Sequence, residues 1–286
     1  MTVELVKVLV LAGTAEARAV IDGLRSEGRF DITASLAGAT PHPAPLPVPT
    51  ISGGFGGADG LAVYCRDHGV GLIVDVTHPF ARQISHNAQA AAYDAGITLL
   101  RYERPPWLPE EGDDWRSFES WQDMADAIAP ASRVFLAGGT QSIDVFTKRK
   151  DITLWARALN VAGRSGPDNV TFINAMPSPS VAEERAQFLQ AGITLLCCKN
   201  SGGDASSAKI AAAREIGIPV WFLARRPDDG SGALGQKSVE KFQIHDSVEQ
   251  IVLAAVNFAS SHPIADPAHG LRVRRRAVPG DMDDIL

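Results

Sequence analysis

The chain has 286 residues, 45% of them hydrophobic and 21% charged, enough for one large or two ordinary domains with a real core. No apolar run approaches the roughly 18 residues of a membrane span, and a formal net charge of −6 argues against broad binding to nucleic acid. Cys65, Cys197 and Cys198 cannot make a disulfide framework, no Cys/His spacing resembles a zinc site, and the start at Met1 lacks signal-peptide features, so a reduced, cytoplasmic chain without a metal is expected.

Val6 to Ala12 is a nearly continuous apolar run, the pattern of a strand covered on both faces. Ala17, Val20, Ile21 and Leu24 follow at helical spacing before Gly28, and Phe30 to Leu36 reads as the next strand. The prolines at 41, 43, 45, 47 and 49 suit an extended surface segment, because proline cannot pair in a sheet interior. Beyond Gly53-Gly54-Phe55-Gly56-Gly57 come a helix from Asp59 to about His68 and a buried strand over Gly71 to Val76. A helix carrying Phe80, Ile84, Ala88 and Ala91 then leads to a strand over Ile97 to Tyr102.

The pattern restarts at Val134 to Thr140, which resembles Val8 to Thr14. Strands follow at Ile152–Arg157, Ile193–Cys198 and Pro219–Ala224. Helices open at Ser180-Val181-Ala182-Glu183, a capping-box pattern, run from Asp204 to Ile216, and cover Asp246 to Phe258. Alternating strands and helices predict an α/β protein with parallel sheets in two similar halves, 1–125 and 126–260. The tail from 261 to 286, with its arginine cluster, loses periodicity and is expected to be flexible.

Four segments could carry chemistry. The turn Ala12-Gly13-Thr14-Ala15-Glu16-Ala17 offers backbone N–H groups and a helix dipole to an anion such as a pyrophosphate, although it lacks the full G-x-G-x-x-G fingerprint and also reads as a tight connecting turn. At the end of the second strand, Ser35-Leu36-Ala37-Gly38 has no acid for ribose hydroxyls, which tilts the reading to the 2′-phosphate of NADPH. Asp75-Val76-Thr77-His78-Pro79-Phe80-Ala81 lies at a strand's carboxyl end, where ligands bind in open α/β sheets; a buried, backbone-bonded Asp75 is the competing reading. Lys199-Asn200-Ser201-Gly202-Gly203 could hold a carboxylate or phosphate, or be a plain connector. Arg101, Arg104 and Trp107 form a further group, suited to an anion clamp or to structural ion pairs. No nucleophile with a supporting motif emerges, which fits chemistry carried by a cofactor.

Taken together, these segments resemble the precorrin-6A reductases of cobalamin (vitamin B12) biosynthesis, in order from about Val6 to Arg226, with Ser85, Asn87, Gly138-Gly139-Thr140 and Lys209 as further matches. The resemblance implies two Rossmann-like domains with a ligand cleft between them, cofactor in the first and substrate in the second. It implies NADPH-dependent reduction of a ring C=C bond of precorrin-6A, a polycarboxylate tetrapyrrole, to precorrin-6B. The chain departs from the family pattern at Ala39 and at Ile51-Ser52, where an arginine often stands.

On this reading Gly13, Thr14, Glu16, Ser35 and Leu36 hold the dinucleotide, and Thr77, His78, Pro79 and Phe80 line the nicotinamide side. Gly139, Thr140, Arg157, Lys199, Asn200, Ser201, Gly202, Gly203 and Lys209 grip the macrocycle, and His78 or Lys199 supplies a proton. A monomer is the working expectation. A cobalt-precorrin-6A reductase using NADH, a nucleotide-sugar transferase and a two-domain sensor of anionic ligands are the competing readings.

Overall fold

The computed structural model describes residues 5–37, 44–225 and 241–262. The first sheet contains β1 (Val6–Leu11), β2 (Phe30–Leu36), β3 (Thr50–Ser52), β4 (Leu72–Asp75), β5 (Thr98–Tyr102) and β12 (Phe242–His245). The second contains β6 (Trp115–Phe118), β7 (Arg133–Ala137), β8 (Thr153–Arg157), β9 (Val170–Ile173), β10 (Leu195–Lys199) and β11 (Val220–Leu223). Every pairing in both sheets is parallel.

The first sheet runs β3-β2-β1-β4-β5-β12, the Rossmann strand order, and its order reverses between β1 and β4. The second runs β9-β8-β7-β10-β11-β6 and reverses between β7 and β10. Both halves are therefore Rossmann-like, as the restarted sequence pattern predicts.

Strand alternation explains the cores. Val8 and Val10 point to one face of the first sheet, where α1 (Ala15–Ser26) brings Val20, Ile21 and Leu24 and α8 (Val248–Ser261) brings Ile251 and Ala255. Leu9 and Leu11 point to the other, against Leu61 and Cys65 of α2 (Gly57–His68) and Ala88 and Ala91 of α3 (Arg82–Ala95). The second sheet repeats the scheme. Val134 and Leu136 meet α4 (Trp121–Ala127) and α5 (Thr140–Phe146), and Phe135 meets α6 (Val181–Ala191) and α7 (Ala208–Glu215). Ser180 caps α6 by accepting from the Glu183 N–H, but Glu183 turns to the Ser178 hydroxyl, so only half of the expected capping box forms.

The expected division at 125/126 differs from the observed pairing. β6 joins the second sheet beside β11, whereas β12 pairs with β5 and α8 packs on the first sheet's core. The second sheet is thus built from one stretch of chain, β6 to β11, whereas the first takes its edge strand β12 from beyond that stretch. The α7 helix starts at Ala208 because Asp204 to Ser207 form a turn, with the Ser207 N–H on the Asp204 carbonyl. Ser261 still belongs to α8; residues 263–286 of the expected tail lie outside the described residues, as do Gly38, Ala39, Pro41 and Pro43. Among the described residues no helix is long and apolar enough to cross a membrane.

Candidate functional site at the two switch points

Ligands in open α/β sheets bind at the carboxyl ends of strands, where the strand order reverses. In the first sheet that point lies between the β1–α1 and β4–α3 turns. Gly13 takes φ 139°, a conformation side chains rarely adopt. Thr14 then joins the two turns, since its hydroxyl accepts from the Ala17 N–H and donates to the Val76 carbonyl 2.8 Å away. The first capping bond of α1 therefore also fixes the end of β4.

Beneath the second turn lies a closed ion pair. The β4–β5 register sets Asp75 beside Arg101, and both side chains are essentially inaccessible to solvent. Asp75 Oδ2 accepts from Arg101 Nη1 at 2.5 Å, and Oδ1 accepts from the Thr77 N–H and hydroxyl. Arg101 also donates to Ser85 Oγ on α3. Asp75 and Arg101 thus build the turn from below, the backbone-bonded alternative for Asp75, and leave Thr77, His78 and Phe80 at its surface.

His78 is held in one tautomer. The Phe80 N–H donates to Nδ1 at 3.2 Å, so the ring proton sits on Nε2. Burial, then the charges of Arg104, Lys199 and Arg225, push its pKa down to about 3. At neutral pH the imidazole is a hydrogen-bond donor at Nε2 and carries no acidic imidazolium proton. Burial also lowers the Lys199 pKa, which makes its ammonium a better acid, and its Nζ lies 5.4 Å from the centre of the Phe80 ring.

Two cavities meet here. The first, about 800 Å³, is walled by Gly13, Thr14, Ser35, Leu36, Thr77, His78 and Phe80. The second, about 570 Å³, faces the second sheet's switch point and is walled by Gly139, Thr140, Arg157, Lys199, Ser201 and Lys209. Gly13, Thr14 and His78 line both. Arg104, Arg157, Lys199 and Lys209 bring four cationic side chains to the second cavity, and no carboxylate is among its described lining residues. Two of the four are already paired behind the wall, Arg104 with Glu16 and Arg157 with the buried Glu184 at 2.7 Å. Among the described residues the first cavity likewise has no lining acid, and it includes Arg82, Gln83 and Gln141, which sequence reasoning did not single out. Their signal was position alone, directly after the two switch-point turns.

Other expected residues take different places. The Glu16 carboxylate is outside both cavities, 2.6 Å from Arg104 Nη1. Burial opposes its charge, but that hydrogen bond and the Arg104 charge prevail, and its carboxyl titrates below the ordinary range. Pro79 lines neither cavity. Asn200 clamps Trp107, accepting from its N–H and donating to its carbonyl, and Trp107 Nε1 donates to the Gly203 carbonyl. A Cβ on Gly202 would sit 1.9 Å from the Pro105 carbonyl oxygen. Asn200, Gly202 and Gly203 therefore join the two halves, while Lys199 and Ser201 face the cavity.

Two Rossmann-like sheets that oppose their switch points across a cleft rich in cations define a two-domain α/β protein suited to anionic ligands. The description "Precorrin-6x reductase CbiJ/CobK" belongs to the family model that matches residues 7–252, and the chain belongs to this family. It is 40% identical to a precorrin-6A reductase from a Sinorhizobium species over 77% of this chain and 85% of that protein. It is 39% identical to one from Rhodococcus erythropolis over 80% and 96% of the two chains. A solved CobK precorrin-6A reductase superposes with a TM-score of 0.77 at 32% identity, covering 91% of this chain and 99% of the other. The resemblance read from the ordered segments thus holds, and the fold and the reductase activity of cobalamin biosynthesis follow from it.

Proposed function

We propose that the protein is a cytoplasmic enzyme that reduces one C=C bond of precorrin-6A with NADPH, giving precorrin-6B. The cofactor lies in the first cavity and the macrocycle in the second. The observation that carries this reading is the shared wall: Gly13, Thr14 and His78 belong to both cavities, so ligands filling them meet at one place.

The residues present fit a nicotinamide dinucleotide. Gly13 has open space where a Cβ would stand, so a phosphate can approach the backbone at the start of α1. Ser35, the penultimate residue of β2, stands near where an acid would otherwise select the 2′-hydroxyl, and the same cavity holds Arg82. When bound, the nicotinamide supplies the hydride.

The protein's own part is positioning and charge. Arg157, Lys199 and Lys209 face a ring bearing many carboxylates, which suits charge-assisted hydrogen bonds. His78 Nε2–H orients what lies at the junction. Lys199, made more acidic by burial, holds the proton that completes the reduction. Of the two proton sources expected from sequence, His78 is neutral at pH 7, which favours Lys199 for this role.

Anaerobic incubation with precorrin-6A and either NADPH or NADH tests the reading, following cofactor absorbance and product mass together. A gain of two hydrogens with NADPH preferred supports it. Equal use of NADH removes the argument from Ser35, and turnover of only the cobalt-bearing substrate moves the chain to the cobalt-dependent branch. Ligand binding without turnover favours a sensor.

A further inference from the structure

Glu16, Arg104 and the loop after β10 form a node at the edge of the second cavity, with Arg104 and Ser201 in its wall and Glu16 outside both cavities. Arg104 lies two residues past the end of β5, so its backbone continues the first sheet. Its Nε donates 2.8 Å to the Ser201 carbonyl, in the loop that follows Lys199 at the end of β10. Its Nη1 binds Glu16 in the first turn of α1, two residues after Thr14. Both side chains are largely buried, at 8% and 17% exposure. Arg225 locks the same node by donating to the carbonyls of Arg104 and Asn200, at 2.6 and 2.7 Å. The packing leaves no slack: a Cβ on Gly203 would lie 2.8 Å from Arg104 Cδ and 3.0 Å from Glu16 Oε1.

We propose that Glu16 and Arg104 are positioning residues that fix the distance between the two switch points, and so between the reacting groups. Glu16 takes one nitrogen of the guanidinium and thereby aims Nε at the Ser201 carbonyl. The arginine fork spans two bonds at fixed angles, which a lysine cannot do. The inference rests on the placement of cofactor and substrate given above. It predicts a loss in the chemical step, since a misplacement near 1 Å can cost about 100-fold in rate.

The test uses Glu16→Gln, Glu16→Asp, Arg104→Lys and the double variant E16Q/R104K, each first shown to keep the native melting transition. Expected is a drop in kcat of about 10- to 100-fold for E16Q and R104K; in E16Q, whose side chain lies outside both cavities, substrate KM and directly titrated NADPH affinity should stay within about threefold. E16D should recover part of the rate, and the double variant should be no worse than the poorer single one. NADPH deuterated at the transferred position should give a larger isotope effect on kcat than in the parent. Small-angle scattering of the ligand-free protein supplies a readout without turnover, with a wider distribution of domain separations in E16Q.

Unchanged kcat in E16Q, or a loss confined to NADPH affinity, would overturn the proposal; the second result would return Glu16 to cofactor binding. If the parent protein itself reduces nothing, the functional reading fails. The scattering comparison then decides alone whether the node holds the domains: an unchanged distribution sinks it.

Discussion

The Asp75–Arg101 pair gives the sharpest quantitative expectation. Asp75→Asn keeps the size of the side chain and one oxygen for the Thr77 N–H and hydroxyl. It places an NH2 group against Arg101 Nη1, where Oδ2 now accepts at 2.5 Å. Two donors then face each other at a site that is 0–2% exposed, and a buried guanidinium loses its nearest counter-charge, keeping the Glu103 carboxylate at 3.6 Å. Breaking such a pair costs about 3–5 kcal/mol, whereas replacing both partners together costs far less. Whole domains are stable by only about 5–15 kcal/mol, so D75N should be visibly weakened. Urea unfolding followed by circular dichroism would show a lower midpoint at unchanged slope. The double variant D75N/R101Q, with neutral amides on both sides, should recover part of the loss. A D75N loss below about 1 kcal/mol, or a double variant that simply adds the two single losses, would refute the argument that the ion pair organises this turn.

Other expectations follow from named groups. His78 has a folded pKa near 3 against an ordinary 6.5, so between these values the unfolded chain binds the proton and stability rises with pH. Its contribution is therefore full above about pH 6.5 and is lost as pH falls toward 3, at no more than about 1.4 kcal/mol per pH unit. Urea midpoints from pH 4 to 7 should fall less steeply on acidification in His78→Gln; identical slopes would contradict the burial argument. Cys65, Cys197 and Cys198 are buried, and burial raises the thiol pKa of Cys65 and Cys198 to about 11 and that of Cys197 well above its usual value. A thiol reagent at pH 8 should label none of them until denaturant is added, and fast labelling of any one would be inconsistent with this core. Gly202→Ala combines a φ of +64° with a Cβ 1.9 Å from the Pro105 carbonyl, so a loss of about 1–3 kcal/mol is expected by thermal melting; a neutral result would mean the loop after β10 has room to shift.

The strands legible in the sequence share one property. β1, β2, β4, β5, β7, β8, β10 and β11 lie inside the two sheets, flanked by strands on both sides, and each carries an apolar run or, in β2, apolar residues at alternate positions. The four without a clear signal, β3, β6, β9 and β12, are the outer strands of the sheets. They are three or four residues long and half exposed, as in Trp-Arg-Ser-Phe of β6 and Phe-Gln-Ile-His of β12. An edge strand needs no apolar face on each side and has no pattern to betray it. The same reasoning explains α4 and α5, whose seven residues are too few to show a helical period.

Site residues divided along a chemical line. Glycines and hydroxyls beside a switch point, such as Gly13, Thr14, Ser35 and Thr140, are placed by strand order, which the sequence pattern reveals, and they line the cavities. Asn200, Gly202 and Gly203 carry the same residue types but serve a joint, because left-handed glycines and a bidentate amide suit close backbone packing as well as anion binding. Only the partner segment, Arg104 to Trp107, separates the two uses, and it lies almost a hundred residues upstream. That segment is there because it connects β5 of the first sheet to β6 of the second. The chain passes between the halves once after β5 and again between β11 and β12. Both passages run past the loop that follows β10, the first through Arg104 and Trp107 and the second through Arg225. A single connection would leave the halves free to swing about it. Hydrogen bonds from both connections to one loop oppose that swing, and with it a change in the separation that a transfer between two facing cavities depends on.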